Sequence, residues 1–250
     1  MDDWNAMVII PAYNEGKNIE KTIENTLKVT DNICVIDDGS IDNTYELASK
    51  FDIKTIKHEK NKGKGAAIRT GISCFLESNS EIAIFMDGDG QHNPEDLQKF
   101  VKLFNEKPDI SVIVGSRFGT NEWQSNMPFP RKLSNLLSRF GLWVLYNGLV
   151  IEDPQNGFRA YRREVLKCIR FSGARYEAET EIIIDSYLKG FKISKVYMSS
   201  SYSEDAESYF SLFKDTWTIP GVMWKLFFKR KPFLLRTQKK RLAYRKAVCK

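Results

Sequence analysis

Ile82-Ala83-Ile84-Phe85-Met86-Asp87-Gly88-Asp89-Gly90-Gln91 is the stretch on which the fold turns. Its apolar half is short and bounded by turn residues, which reads as a buried strand, and the strand delivers two carboxylates separated by one glycine. Alternate residues of extended backbone project to one side, so Asp87, Asp89 and Gln91 could offer three oxygens to one hard divalent cation, Mg2+ or Mn2+. Gly88 and Gly90 let the backbone bend close to it. The plain alternative is an acidic turn of the kind that often follows a strand.

Outward from this stretch, Val/Ile-rich runs recur at Met7–Pro11, Ile33–Asp37, Ile53–Lys57 and Ile110–Gly115. Between them lie segments with helical spacing: Ile19, Ile23 and Leu27; Tyr45 with Leu47 and Ala48; Ala66, Ala67, Gly71 and Phe75; Leu97, Val101 and Phe104. Strand and helix in alternation predict an α/β fold, a mostly parallel twisted sheet with helices on both faces. Ligands of such sheets sit beyond the carboxyl ends of the strands. Ala12-Tyr13-Asn14-Glu15-Gly16, Asp38-Gly39-Ser40 and Gly88-Asp89-Gly90-Gln91-His92 occupy those ends. No G-x-G-x-x-G follows the first strand and no G-x-x-x-x-G-K-[ST] occurs, which removes the main support for a dinucleotide dehydrogenase or a P-loop enzyme. His58 and His92 have no Cys or His at zinc-ligand spacing.

At 250 residues and 42% hydrophobic content the chain can close one substantial core. Its net charge of +6 is uneven, since Lys225–Lys250 contains lysines and arginines but no Asp or Glu. Such an end is a solvated tail, or it meets anionic lipid or nucleic acid. Pro128–Val150 reads as an amphipathic helix, packed on the core or lying at an interface. No apolar run is long enough to cross a bilayer. Cys34, Cys74, Cys168 and Cys249 show no paired spacing and no leader opens the chain, which predicts unpaired thiols in a reducing cytosolic compartment.

Asn61-Lys62-Gly63-Lys64-Gly65 before a helix adds an anion-site candidate. In order, Ile10-Pro11-Ala12-Tyr13-Asn14-Glu15, Val35-Ile36-Asp37-Asp38-Gly39-Ser40, the Asn61–Gly65 stretch, Met86-Asp87-Gly88-Asp89-Gly90-Gln91-His92-Asn93-Pro94, Gly115-Ser116-Arg117-Phe118 and Asp153-Pro154-Gln155-Asn156-Gly157-Phe158-Arg159 closely resemble family-two glycosyltransferases of the dolichyl-phosphate mannose synthase type. The likeness runs from about Met7 to Val196 and implies a GT-A, Rossmann-like fold, a nucleotide-sugar donor and a dolichyl or polyprenyl phosphate acceptor. By that resemblance Pro11, Tyr13, Glu15, Ile36 and Asp38 hold base and ribose, with Met86, Asp87 and Gly88 beside them. Asp87, Asp89 and Gln91 hold Mg2+ or Mn2+, Arg117 neutralises phosphate, and Arg131 receives the lipid phosphate.

The expected organisation is a catalytic domain over 1–200, with an acceptor loop and amphipathic helix at 128–150, followed by a basic, amphipathic, membrane-associating segment at 201–250. The family often carries an Arg and a Lys near residues 203–209, where this chain has neither; Lys214 is a candidate substitute, and the donor is GDP-mannose or a UDP-sugar. The expected chemistry is a single inverting displacement, with Asp153 as base if the acceptor is a hydroxyl and Glu181 as a weaker site candidate. Peripheral attachment to the cytoplasmic membrane face follows from a lipid acceptor. A nucleic-acid-binding module ranks below these readings, because acidic loops would repel phosphate, and no nucleic-acid partner is expected.

Overall fold

The computed structural model describes residues 5–119, 129–146, 149–175, 177–199, 224, 227–228 and 237–249, with the side chains of 119 and 129–134 excepted. In chain order the elements are β1 (Ala6–Ala12), α1 (Ile19–Leu27), β2 (Ile33–Asp37), α2 (Thr44–Ala48), β3 (Lys54–Lys57), α3 (Lys64–Glu77), β4 (Ile82–Phe85), α4 (Leu97–Glu106) and β5 (Ile110–Ser116). Then come α5 (Phe129–Leu145), β6 (Arg159–Arg162), α6 (Arg163–Cys168), α7 (Glu177–Leu188), β7 (Lys192–Tyr197) and α8 (Gln238–Val248).

Seven strands form one sheet in the order β3-β2-β1-β4-β6-β5-β7. All pairings are parallel except those of β6, which runs antiparallel to both β4 and β5. The five strands expected from Val/Ile runs are present, and β6 and β7 are additions. Strands buried on both faces must be apolar at nearly every position. Accordingly, alternate residues of one strand serve two cores. Met7 and Ile9 pack with Cys34, Ile36, Phe75 and Phe85 under α3, α6 and α7; Val8 and Ile10 pack with Ile19, Ile23, Val35 and Phe100 under α1 and α4.

The pairing of β1 with β4 ends at Ile9 and Phe85, whereas its pairing with β2 continues to Ala12 and Asp37. Pro11 therefore lies beyond the last β4 partner, where its missing N–H leaves no gap in that ladder. Chain order also reverses at β1, since β2 lies on one side and β4 on the other. A crevice opens at this switch point, beyond the carboxyl ends of the strands.

Three arginines lock β6 into place. Arg159 is buried and donates to the carbonyls of Pro154, Asn156 and Glu179 at 2.6–2.7 Å. Arg162 reaches the Ile110 and Phe104 carbonyls, and Arg163 reaches those of Phe75, Leu76, Ser78 and Ser80. The last of these satisfies carbonyls that the end of α3 leaves without helical partners.

Helix α8, the longest described stretch of the expected 201–250 segment, lies against the body. Arg241 sits over the Tyr187 ring at 4.1 Å, Arg245 over Phe191 at 4.0 Å and within 2.6 Å of Glu164. Cys249 is disulfide-bonded to Cys168, and the buried sulfurs of Cys34 and Cys74 lie 3.0 Å apart. The expectation of unpaired cysteines is thus corrected for Cys168 and Cys249, which the fold and not the spacing brings together, whereas Cys34 and Cys74 are free thiols. The Ser203–Tyr209 departure and Lys214 lie outside the described residues.

Helix α3 rests directly on β1, because a Cβ on Gly71 would stand 2.5 Å from Ile9 Cγ2. Gly71→Val should cost roughly 1–3 kcal/mol through overpacking. Urea denaturation would show it as a lower midpoint with an unchanged slope.

Candidate active site

Two loops at the crevice are stitched together. The Asn14 N–H donates to Ser40 Oγ at 2.9 Å, the Glu15 N–H to Thr44 Oγ1 at 2.8 Å, and the Ile41 N–H to Asn14 Oδ1 at 3.0 Å. Asn14 takes a positive φ of 55°, which an Asn tolerates in a turn. This arrangement leaves Tyr13 half-buried at the mouth and turns Glu15 toward the carboxylates after β4. Burial, reinforced by Asp89, Asp87 and Asp42, raises the Glu15 carboxyl to about 7 against a hydrogen bond from Asn18.

The adjacent aspartates of β2 divide their labour. Asp38, expected to hold base or ribose, is buried and already accepts from His58 Nδ1 at 2.6 Å and from the Lys62 and Gly63 N–H groups at 3.1 and 2.7 Å. Its carboxylate ties the 58–63 loop to the sheet. Asp37, which the sequence reading passed over, bonds Ser40 through Oδ1 and keeps a buried Oδ2 with no hydrogen-bond partner. Of the other expected contacts, Pro11 is buried in β1, while Ile36 and Met86 have side chains in opposite cores, so these two face the crevice only through backbone.

After β4, Asp87 stands 2.7 Å from Lys64 Nζ and 3.8 Å from His92 Nε2. Burial alone would raise its pKa, but Lys64 and His92 outweigh that and hold the carboxyl well below the usual range. Asp89 goes the other way, raised by burial and by the charge of Asp87, while its Oδ1 accepts the Gln91 N–H at 3.0 Å. Gly88 lies against Ala12 beside them. Among the described residues no three Asp, Glu, His or Cys side chains enclose a cation by themselves. The donor chemistry nevertheless fits one. Glu15, Asp87 and Asp89 crowd negative charge together, and a magnesium-like ion takes only one or two carboxylates when substrate phosphates complete its coordination.

Across the crevice, the Arg117 guanidinium grips Asp153 through Nε at 2.6 Å and Nη2 at 2.9 Å, and Asn135 donates to the same carboxylate at 2.8 Å. Burial would raise the Asp153 carboxyl, but Arg117 outweighs it and keeps the group ionised. Arg117 in turn feels Asp87 and Asp89. Both oxygens of Asp153 are therefore committed to orienting Arg117. Gly157 closes the wall, since a Cβ there would stand 2.4 Å from Asp87 Oδ2.

Helix α7 brings a carboxylate to the site that the sequence reading did not single out. Glu181, the expected candidate, bonds the Ser172 N–H at 2.7 Å and holds a turn. Glu179 reaches the site instead, 3.0 Å from Lys64 Nζ. Arg131 falls in the first turn of α5, and its side chain is outside the described part of the structure.

A sequence profile described as Glycosyl transferase family 2 matches residues 7–170. The chain belongs to this family. Among family relatives, the UDP-N-acetylglucosamine–dolichyl-phosphate N-acetylglucosaminyltransferase of Methanococcus voltae is 33% identical over 225 residues, covering 82% of this chain and 88% of the relative. The dolichol-phosphate mannosyltransferase of Pyrococcus furiosus is 35% identical over 76% of this chain and 53% of its own length. In fold, this family 2 chain is similar to glucosyl-3-phosphoglycerate synthase of Mycobacterium tuberculosis, solved with Mn2+, UDP and phosphoglyceric acid, with a TM-score of 0.70 at 20% identity over 89% of this chain and 78% of that one. The GT-A architecture expected from sequence is thus the observed one.

The raised Glu15 carboxyl has a consequence for stability. Its folded value of about 7 lies above the ordinary 4.5, so its contribution to stability is intact below 4.5 and is lost as pH rises toward 7. Glu15→Gln should raise the melting temperature of the metal-free protein more at pH 8 than at pH 5.

Proposed function

We propose that the chain transfers a sugar from a nucleoside diphosphate sugar to a polyprenyl or dolichyl phosphate, with inversion and with a divalent cation. The observation that carries the reading is the pairing of a carboxylate cluster with a part-buried, oriented arginine at the switch point, beside a helix with an apolar exposed face. Asp87, Asp89 and Gln91 are the cation ligands in this reading, and Mg2+ or Mn2+ held there supplies positive charge against the departing diphosphate. Arg117, fixed by Asp153, faces the same diphosphate. Asp37, through its open oxygen, takes the base or ribose contact, and Asp38 holds the loop behind it. Glu15 and Tyr13 line the donor's entrance.

An acceptor phosphate with a second pKa of about 6 is largely dianionic near neutral pH and needs no base. That agrees with the commitment of Asp153 to Arg117. Catalysis then rests on positioning and on charge already in place. The Methanococcus voltae relative, aligned over most of both chains, supports a UDP-sugar as the first donor to try, with GDP-mannose beside it.

A lipid acceptor requires contact with a bilayer surface. Leu136, Leu137, Phe140, Trp143 and Val144 are exposed along α5. Trp224 stacks on Phe228 at 5.8 Å, and Phe227 ties that group to Tyr146 beyond α5. Lys239, Lys240 and Lys246 are exposed on α8, within reach of anionic headgroups in this arrangement. No helix of the described residues is long and apolar enough to cross a membrane. Peripheral binding at the cytoplasmic face is the corresponding proposal.

Incubation with Mn2+, a panel of UDP- and GDP-sugars and polyprenyl phosphate should yield a glycolipid of identifiable mass. Asp89→Ala should reduce its formation at least a hundredfold while leaving the thermal transition cooperative; full activity of that variant in excess chelator would end the metal assignment. Arg131→Ala should raise KM for the lipid phosphate with donor affinity unchanged. Equal transfer to polyprenyl alcohol would overturn the lipid-phosphate reading.

A further inference from the structure

Lys64 is the unusual member of the site. It opens α3, and its Nζ lies 2.7 Å from Asp87 Oδ1 and 3.0 Å from Glu179 Oε1, with only 18% of its side chain exposed. The ammonium thus bridges an expected cation ligand and a carboxylate from α7 that has no place among those ligands. The backbone on both sides of the bridge is fixed. The Gly65 N–H donates to the Ala174 carbonyl at 2.8 Å, and the Glu179 carbonyl accepts from buried Arg159 at 2.6 Å. Whatever moves here is the lysine side chain.

We infer that Lys64 is a resident cation, parked between Asp87 and Glu179, whose displacement makes divalent-cation binding and nucleoside diphosphate binding depend on each other. The inference rests on the metal and nucleotide reading above. A divalent ion arriving at Asp87 alone meets the ammonium at close range and in partly buried surroundings, where like charges are poorly screened. Glu179 keeps one partner for the displaced lysine, so the exchange does not strand a buried charge. A diphosphate adds negative charge on the open side and turns the same lysine from a competitor into a counterion. Metal alone is therefore penalised, whereas metal with diphosphate is not. By linkage the coupling is reciprocal.

Free Mn2+ measured by electron paramagnetic resonance, on the full chain with and without UDP or GDP, tests this directly. The unaltered protein should bind Mn2+ weakly alone and more tightly with one of the nucleotides. Lys64→Met should bind Mn2+ alone about tenfold more tightly, and the nucleotide should then add correspondingly less, a coupling of ordinary size for linked sites. Because Lys64→Met leaves Glu179 buried without its lysine, Lys64→Met/Glu179→Gln is measured beside it and should show the same gain, with thermal melting to confirm folding. In the Lys64→Met background, Glu179→Gln should have little effect on Mn2+ binding. If both variants bind Mn2+ no more tightly than the parent, the inference is overturned and the nucleotide reading stands. If the parent itself binds neither nucleotide with Mn2+, the nucleotide reading falls and takes the inference with it.

Discussion

Negative charge confined to the carboxyl ends of parallel strands is the constraint around which this molecule is arranged. Glu15 comes from the loop after β1 and Asp87 and Asp89 from the loop after β4, yet the sheet converges them in buried surroundings. Three responses to that repulsion are visible. Glu15 and Asp89 take up protons more readily, Asp87 stays ionised by drawing in Lys64, and Arg117 stands opposite with Asp153 behind it. Each offsets the repulsion with groups the chain itself supplies. Each also makes the crevice attractive to a ligand combining a metal cation with a diphosphate, because such a ligand resolves all three conflicts together.

The supports of the site are mostly main chain. Asp38 reads the N–H groups of the 62–63 turn, Ser40 and Thr44 read those of the 14–15 turn, and Arg159 reads the carbonyls of the 154–156 turn and of α7. Loops that carry chemistry are thereby held by the framework. Helix α5 has two faces: Asn135 on its buried side touches Asp153, and Leu136, Leu137 and Phe140 face outward. The exposed apolar face and the charged centre are linked through a single helix.

Legibility in the sequence followed burial. β1, β2, β4 and β5 announce themselves because strands covered on both faces admit few polar residues, and β3 is read from Ile53 and Ile56 although it is half-exposed. β6 cannot be seen this way: Arg159-Ala160-Tyr161-Arg162 carries two arginines whose carbonyl partners come from distant parts of the chain. β7 is a partly exposed edge strand with lysines along it. At the site, the order of motifs carried the family and the main carboxylates, since those sit in local turns. How Asp37 differs from Asp38, and Glu179 from Glu181, depends on which neighbour each side chain meets across the fold. Adjacent or alternate acidic residues look alike until His58, Ser172 and Lys64 are brought beside them. The Cys168–Cys249 pair was hidden for the same reason.

The arginines around β6 have a bearing on how such a chain can diverge. A hydrogen bond to a carbonyl asks nothing of the side chain attached to it. Arg159, Arg162 and Arg163 together hold nine carbonyls in the 75–80, 104–110 and 154–179 regions. These bonds constrain the backbone path alone, so where a contributing residue is neither buried in a core nor part of the site, as at Ser78, its identity can change. Substitution can accumulate around the crevice and alter which sugar or acceptor is welcome there, while the scaffold that aims the carboxylates stays where it was. A cluster of three basic residues thus separates the inheritance of shape from the drift of specificity.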